Sequence, residues 1–178
     1  RVNVLSNPIG ADGADVLIEV FEQNTNLRTL LGIEEGVTEV NLSKKNVDPG
    51  QAKILAAELK ASRAVAALKK VALRSNPLTG GEREYVGDGK YAQTDGKDTS
   101  GVSVLFPSMT QVTELDVSDC GLGPTSMPEL VKLVSDARAV LASLTLDQNG
   151  IFGELWPSGN CKEADKYVKE SAPLLDAI

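Results

Sequence analysis

The chain has 178 residues, 42% of them apolar and 24% charged, which is enough for one domain with a sizeable core. A formal net charge of −7 gives no overall field to gather nucleic acid or an anionic membrane surface, and no apolar run approaches the roughly 20 residues that span a bilayer. Histidine is absent, which removes the commonest general base and metal ligand; Cys120 and Cys161 form no C-x-x-C pair and no disulfide framework, so a reducing, cytoplasmic setting is expected.

Residues 1–9 place Val2 and Val4 in an apolar-x-apolar strand, Asn7 at a turn and Ile9 at the next apolar position. Gly13 and Ala14 lead into a helical pattern with Val16, Leu17, Val20 and Phe21 on one face, closing at Asn24. The pattern starts part-way through, with no initiating Met, so residues before Arg1 are expected. At 27–36 the strand pattern begins again with Leu27 and Leu30 and breaks off, which predicts a short loop or hairpin inserted at the strand. Val37, Val40 and Leu42 restart it, with Asn46 as the turn and Pro49-Gly50 as punctuation. Ala52, Leu55, Ala56 and Leu59 then fall at i, i+3, i+4 and i+7, one face of a helix.

Leu68, Val71, Leu73, Asn76 and Leu78 repeat the strand and turn. The next strand comes about fifteen residues late for this pattern, and the excess lies in 79–100, polar and Gly-rich. Within it Tyr85, Val86 and Tyr91 are placed to pair as a small hairpin on an Asp88-Gly89 turn. Val102, Val104, Leu105 and Phe106 supply a shortened helix before the strand at Val112. After Ile151 the pattern fades. A helix is expected from about Lys162, with Trp156, Leu174 and Leu175 covering the last strand as a cap over about 152–178.

Four stretches, 37–47, 68–78, 112–122 and 141–151, share the spacing L-x-x-L-x-L-x-x-N/C-x-L. Intervals of about 30 residues between matching strands leave room for a full helix in each repeat. Asn76 and Asn149 stand where a side-chain amide can bond main-chain groups between neighbouring units, and Cys120 fills the same place with a weak S–H donor. With these residues, and with D-P-G-Q-A-K-I-L-A-A-E-L at 48–59, nearly the whole chain resembles the leucine-rich repeat proteins of the ribonuclease-inhibitor type. It departs from them at 27–36 and 79–100. The resemblance implies an α/β leucine-rich repeat solenoid over 1–178: a curved horseshoe with a concave parallel β-sheet and convex α-helices, used to grip other macromolecules.

On such a concave face the residues that alternate with the buried pairs are Glu39, Asn41 and Ser43, Lys70, Ala72 and Arg74, Glu114, Asp116 and Ser118, and Ser143, Thr145 and Asp147. The candidate partner-binding set is Glu39, Asn41, Lys70, Arg74, Glu114, Asp116, Thr145 and Asp147, an acidic surface with a basic strip that suits a protein partner of mixed charge. A sheet that simply faces solvent accounts for any one of them equally well. Cys120 is explained by the repeat rather than by a reactive thiol. The 79–100 segment holds no G-x-x-x-x-G-K-[ST], and Glu82, Asp95 and Asp98 lack a Ca²⁺-loop spacing. No catalytic residue, metal or cofactor is predicted. The expected function is a non-catalytic protein-binding module acting through the concave sheet and the 79–100 insertion. Two alternatives remain open: a GTPase-activating regulator acting through Arg74, since relatives of this repeat class include activators of a nuclear-transport GTPase, or a structural subunit of a larger assembly.

Overall fold

The computed structural model describes residues 1–85, 91–137, 140–155 and 161–177. In chain order the elements begin with α1 (Gly10–Gln23), β1 (Glu39–Asn41), α2 (Pro49–Ala61), β2 (Lys70–Ala72) and the paired strands β3 (Arg83–Tyr85) and β4 (Tyr91–Gln93). They continue with α3 (Ser100–Ser108), β5 (Glu114–Asp116), a 3₁₀ turn (Pro124–Ser126) running into α4 (Met127–Ala137), and β6 (Ser143–Thr145). The paired strands β7 (Glu154–Leu155) and β8 (Cys161–Glu163) and the helix α5 (Val168–Ala177) complete the described chain.

The result is a mixed α/β fold. Four strands form one parallel sheet in the order β1-β2-β5-β6, each joined to the next through a helix, and each helix packs on its neighbours in sequence. The residues that the apolar spacing equates are Cα partners across the whole sheet: Val40 with Val71, Val71 with Leu115, and Leu115 with Leu144. Burial follows the same spacing. Val71, Leu115, Leu42, Leu73 and Val117 are buried, while Leu144 in β6 and Leu146 just after it are half-buried.

A second periodic feature is conformational. Ser6, Lys44, Ser75, Asp119 and Gln148 all take left-handed φ, between 50° and 61°. Each lies four residues beyond the central apolar residue of its strand, where the backbone turns out of the sheet. Left-handed geometry is uncommon for residues other than glycine. Its recurrence in register extends the repeat to the N-terminal segment.

The turns are tied together as expected. Asn76 Oδ1 accepts from Val47 N–H at 2.9 Å, while its Nδ2 donates to Leu42 O at 2.9 Å and Leu73 O at 2.6 Å. Asn149 does the same two units on, accepting from Cys120 N–H and Leu122 N–H and donating to Val117 O and Leu146 O. Cys120 Sγ donates to Leu73 O at 3.1 Å in the amide's place. Asn46 is not part of this ladder; Lys45 occupies that register, and Asn46 serves only as a left-handed turn residue.

Helix α2 starts at Asp48, whose Oδ1 accepts from Gln51 N–H at 2.8 Å, with Pro49 in the first turn. Ala52, Leu55, Ala56 and Leu59 are buried as the periodicity requires. Ile54 and Glu58 are buried too, because α2 lies between α1 and α3. The helix starts nearly touch: a Cβ on Gly50 would come within 2.4 Å of Gly10 O, and one on Gly101 within 2.5 Å of Pro49 O.

Several expectations are corrected. In α1 the buried face is Ala14, Leu17, Ile18 and Phe21, while Val16 and Val20 are exposed, because α2 packs on the former stripe. The segment 27–36 interrupts the pattern as a loop whose residues 29–33 are buried, while Arg28, Glu34, Glu35 and Gly36 are exposed. Val2 N–H bonds Thr29 O and Val4 N–H bonds Leu30 O, so 29–31 occupies the place where the N-terminal strand would have met β1. At the C-terminus, Cys161–Glu163 is a strand and the helix starts only at Val168. Leu174 is buried as a cap residue, whereas Leu175 is exposed; Trp156 lies outside the described residues. The β3–β4 pairing of Tyr85 with Tyr91 is present, and Val86, Asp88 and Gly89 lie outside the described residues. No described helix is long and apolar enough to cross a membrane.

Candidate functional site

The sheet register sorts the candidate residues into three rows. Glu39, Lys70, Glu114 and Ser143 are side by side in the first, and Asn41, Ala72, Asp116 and Thr145 in the second. Ser43, Arg74, Ser118 and Asp147 continue the alternation into a third. Six of the eight candidate residues therefore belong to one face of the sheet, and Arg74 and Asp147 lie just beyond the ends of β2 and β6.

In the first row Lys70 Nζ lies 3.2 Å from Glu114 Oε2, and Glu39 flanks it on the other strand. The hydrogen bond to Glu114, then the charges of Glu114 and Glu39, push the Lys70 ammonium above its ordinary pKa. In the second row Asn41 Oδ1 accepts from Ser43 N–H and Asp116 Oδ1 from Ser118 N–H, both at 2.9 Å. Asn3 does the same for Leu5 N–H. These are Asx turns that carry the chain out of the strand. In the third row Arg74 is exposed, with Nη2 3.5 Å from Gln148 Oε1. Asp147 is exposed as well.

One residue of the alternation fails to reach solvent. Ser118 is fully buried, its Oγ donating to Asp116 Oδ1 at 2.6 Å. Nearby, described residues of the 79–100 insertion lie on the turn after β5. Thr79 Oγ1 donates to Gly121 O at 2.8 Å, Gln93 N–H donates to Asp119 Oδ1 at 2.9 Å, and Thr125 N–H donates to Asp95 Oδ2 at 3.2 Å. Close approach of the main chains fixes this docking: a Cβ on Gly121, whose φ is +65°, would lie 2.2 Å from Thr94 O. Partial burial raises the Asp95 carboxyl pKa.

Three residues that matter to this architecture escaped the sequence reading. Glu58, on α2, accepts from Thr29 Oγ1 at 2.9 Å, from Leu31 N–H at 2.8 Å and from Leu30 N–H, and so clamps the inserted segment. Burial raises its pKa, and the Leu31, Leu30 and Thr29 bonds offset part of that rise. Arg63 donates to Phe21 O, Asn24 O and Leu27 O, closing the end of α1, with its guanidinium 4.3 Å from the Phe21 ring. Asp95 is the third. A charged residue at a helix-face position next to Leu55 and Leu59 was the one available hint, and it pointed only to Glu58.

Cys120 is buried, and desolvation pushes its thiol up to about 12, away from a nucleophilic thiolate. Among the described residues no group of three or more His, Cys, Asp or Glu side chains is placed to hold a metal ion. Compared with known proteins, the chain matches no family model, no curated protein and no solved structure.

Proposed function

We propose that the chain is a leucine-rich repeat solenoid of the strand-plus-helix kind and serves as a non-catalytic module that binds a protein partner through the exposed face of its parallel sheet. An intracellular setting goes with that reading. What supports it above all is the register: residues from four separate strands stand in rows that mix four carboxylates with Lys70 and Arg74. A face with both signs of charge selects partners through complementary potential more than through buried apolar area.

The test is affinity capture followed by binding measured against the recovered partner at two salt concentrations. The bait carries Lys70→Glu, Arg74→Glu and Glu114→Lys. Asp116 is left unchanged because its carboxylate holds Ser118 and the turn. A partner bound by the native chain and lost by this variant supports the reading. Unchanged binding by a correctly folded variant overturns it.

A further inference from the structure

We propose that the open edge of β1 takes up an extended, basic segment of a partner protein as an added strand. This surface is the main-chain edge of the sheet and not its side-chain face, so either proposal can fail alone.

In the sheet β1 pairs on one side only, with β2. Lys70 N–H bonds Thr38 O and Leu42 N–H bonds Ala72 O, so the main-chain groups of Thr38, Val40 and Leu42 are directed to β2. Alternation along a strand then directs those of Glu39 and Asn41 the other way. A strand at that side would normally come from the preceding unit. Here Val2 and Val4 spend their N–H groups on Thr29 and Leu30, and the chain at 31–34 spreads the two strands apart. A groove of about 440 Å³ opens along the β1 edge, with Leu31, Ile33 and Val37 along it. Ser43 N–H is already taken by Asn41 Oδ1, so the usable edge runs from Glu39 to Asn41.

Charge selects the occupant. Glu34 and Glu39 line one end of the groove and Lys45 the other. Arg1 already lies 3.3 Å from Glu34, a cation received at that rim. With a net charge of −7 over the chain, a segment whose basic residues fall at the Glu34 and Glu39 end is favoured in encounter as well as in place. Added strands owe affinity to main-chain hydrogen bonds and specificity to alternate side chains, which this edge and these two carboxylates supply.

The probe is a blocked, fluorescently labelled octapeptide alternating valine and threonine, with two lysines at one end. Three comparison peptides accompany it: one with glutamates for the lysines, and two N-methylated on alternate amides, one in each parity. Anisotropy gives affinity, and amide hydrogen exchange gives location. The expected result is saturable binding with new protection of the Glu39 and Asn41 amides. Loss of at least tenfold is expected with the glutamate peptide, with one of the two methylated peptides, and with the Glu34→Lys and Glu39→Gln chains. Thermal melting verifies that both variants stay folded; Glu34 is exposed, so its substitution leaves the fold intact. Absence of saturable binding overturns the proposal. So does equal binding by both methylated peptides, which indicates side-chain adhesion, or protection away from β1.

Discussion

Asn76→Ala tests whether the side-chain ladder couples neighbouring units. Asn76 is fully buried and makes three short bonds, from Val47 N–H and to Leu42 O and Leu73 O, at 2.9, 2.9 and 2.6 Å. Two of the three partners belong to the preceding unit. Alanine leaves the buried Val47 N–H without its acceptor and removes a donor from two carbonyls. An orphaned buried group costs about 1–3 kcal/mol, and a carbonyl that keeps a second partner costs less, so the sum is about 3–4 kcal/mol. In a chain of this length that lowers the melting temperature by roughly 6–16 °C. The assay is denaturant unfolding followed by circular dichroism, with the native chain and Asn46→Ala run in parallel. Asn46 has the same chemistry and no place in the ladder, so its substitution changes stability far less. A loss at Asn76 below about 1 kcal/mol, or equal losses at both positions, refutes the claim that the amide joins adjacent units.

Gly101→Ala would bring a Cβ within 2.5 Å of Pro49 O, a main-chain atom that cannot step aside, and is expected to cost about 1–3 kcal/mol in chemical unfolding. Gly13→Ala would bring a Cβ within 2.8 Å of Ile9 Cγ2, the branch methyl of a β-branched side chain packed against the core, so the gain of about 0.5–1 kcal/mol from replacing a helical glycine is offset and little net change in stability is expected. Glu58 has a raised folded pKa, so its contribution is most favourable below the unfolded value of 4.5 and declines as pH rises through the folded value. Stability measured against pH in Glu58→Gln should therefore fall less steeply above 4.5 than in the native chain. Glu154 behaves oppositely: hydrogen bonds from Lys162 and Lys166 hold its carboxyl at about 2, so its contribution is complete above 4.5 and is lost as pH falls through about 2. A carboxylate NMR titration should find that midpoint, and Lys162→Met should move it upward. In a Cys161→Ser background, alkylation of Cys120 should proceed no faster than unfolding, and rapid labelling of the native chain would contradict its burial.

What the sequence made legible was the part fixed by apolar periodicity. Val40, Val71, Leu115 and Leu144 could be equated because a strand that buries one face admits no one-residue slip, and the sheet pairs these residues. Glu39, Asn41, Lys70, Glu114, Asp116 and Thr145 followed from the same alternation. Helix α1 was misread because its sequence is apolar on two stripes, and only contact with α2 chooses between them. The left-handed row was hidden because Ser6, Lys44, Ser75, Asp119 and Gln148 share a backbone conformation and no side-chain chemistry. The glycines of 79–100 gave no sign of where the segment packs. In the fold, Gly81 and Gly96 permit close main-chain contact with Thr94 and Thr79 inside the segment, and Gly121 lets Thr94 approach the turn after β5.

The two insertions thus have opposite effects on the sheet. The 79–100 segment lies over the turn after β5, and its Asp95 reaches the start of the 3₁₀ turn that leads into α4; it closes the fold around Asp119. The 27–36 segment displaces strand pairing between the N-terminal strand and β1. That junction is held instead by the Glu58 clamp, by Arg63 at the end of α1, and by Gln51 Nε2 donating to Asn7 O at 3.0 Å. Sheet hydrogen bonds at one position have been replaced by helix-borne polar contacts behind it. The helices keep their stacking, and the β1 edge, without a strand beside it, is left available. Regular repetition alone would have hidden the β1 edge beneath the preceding strand. Its exposure, and the acidic rim beside it, arise from the interruption of the periodicity at 27–36.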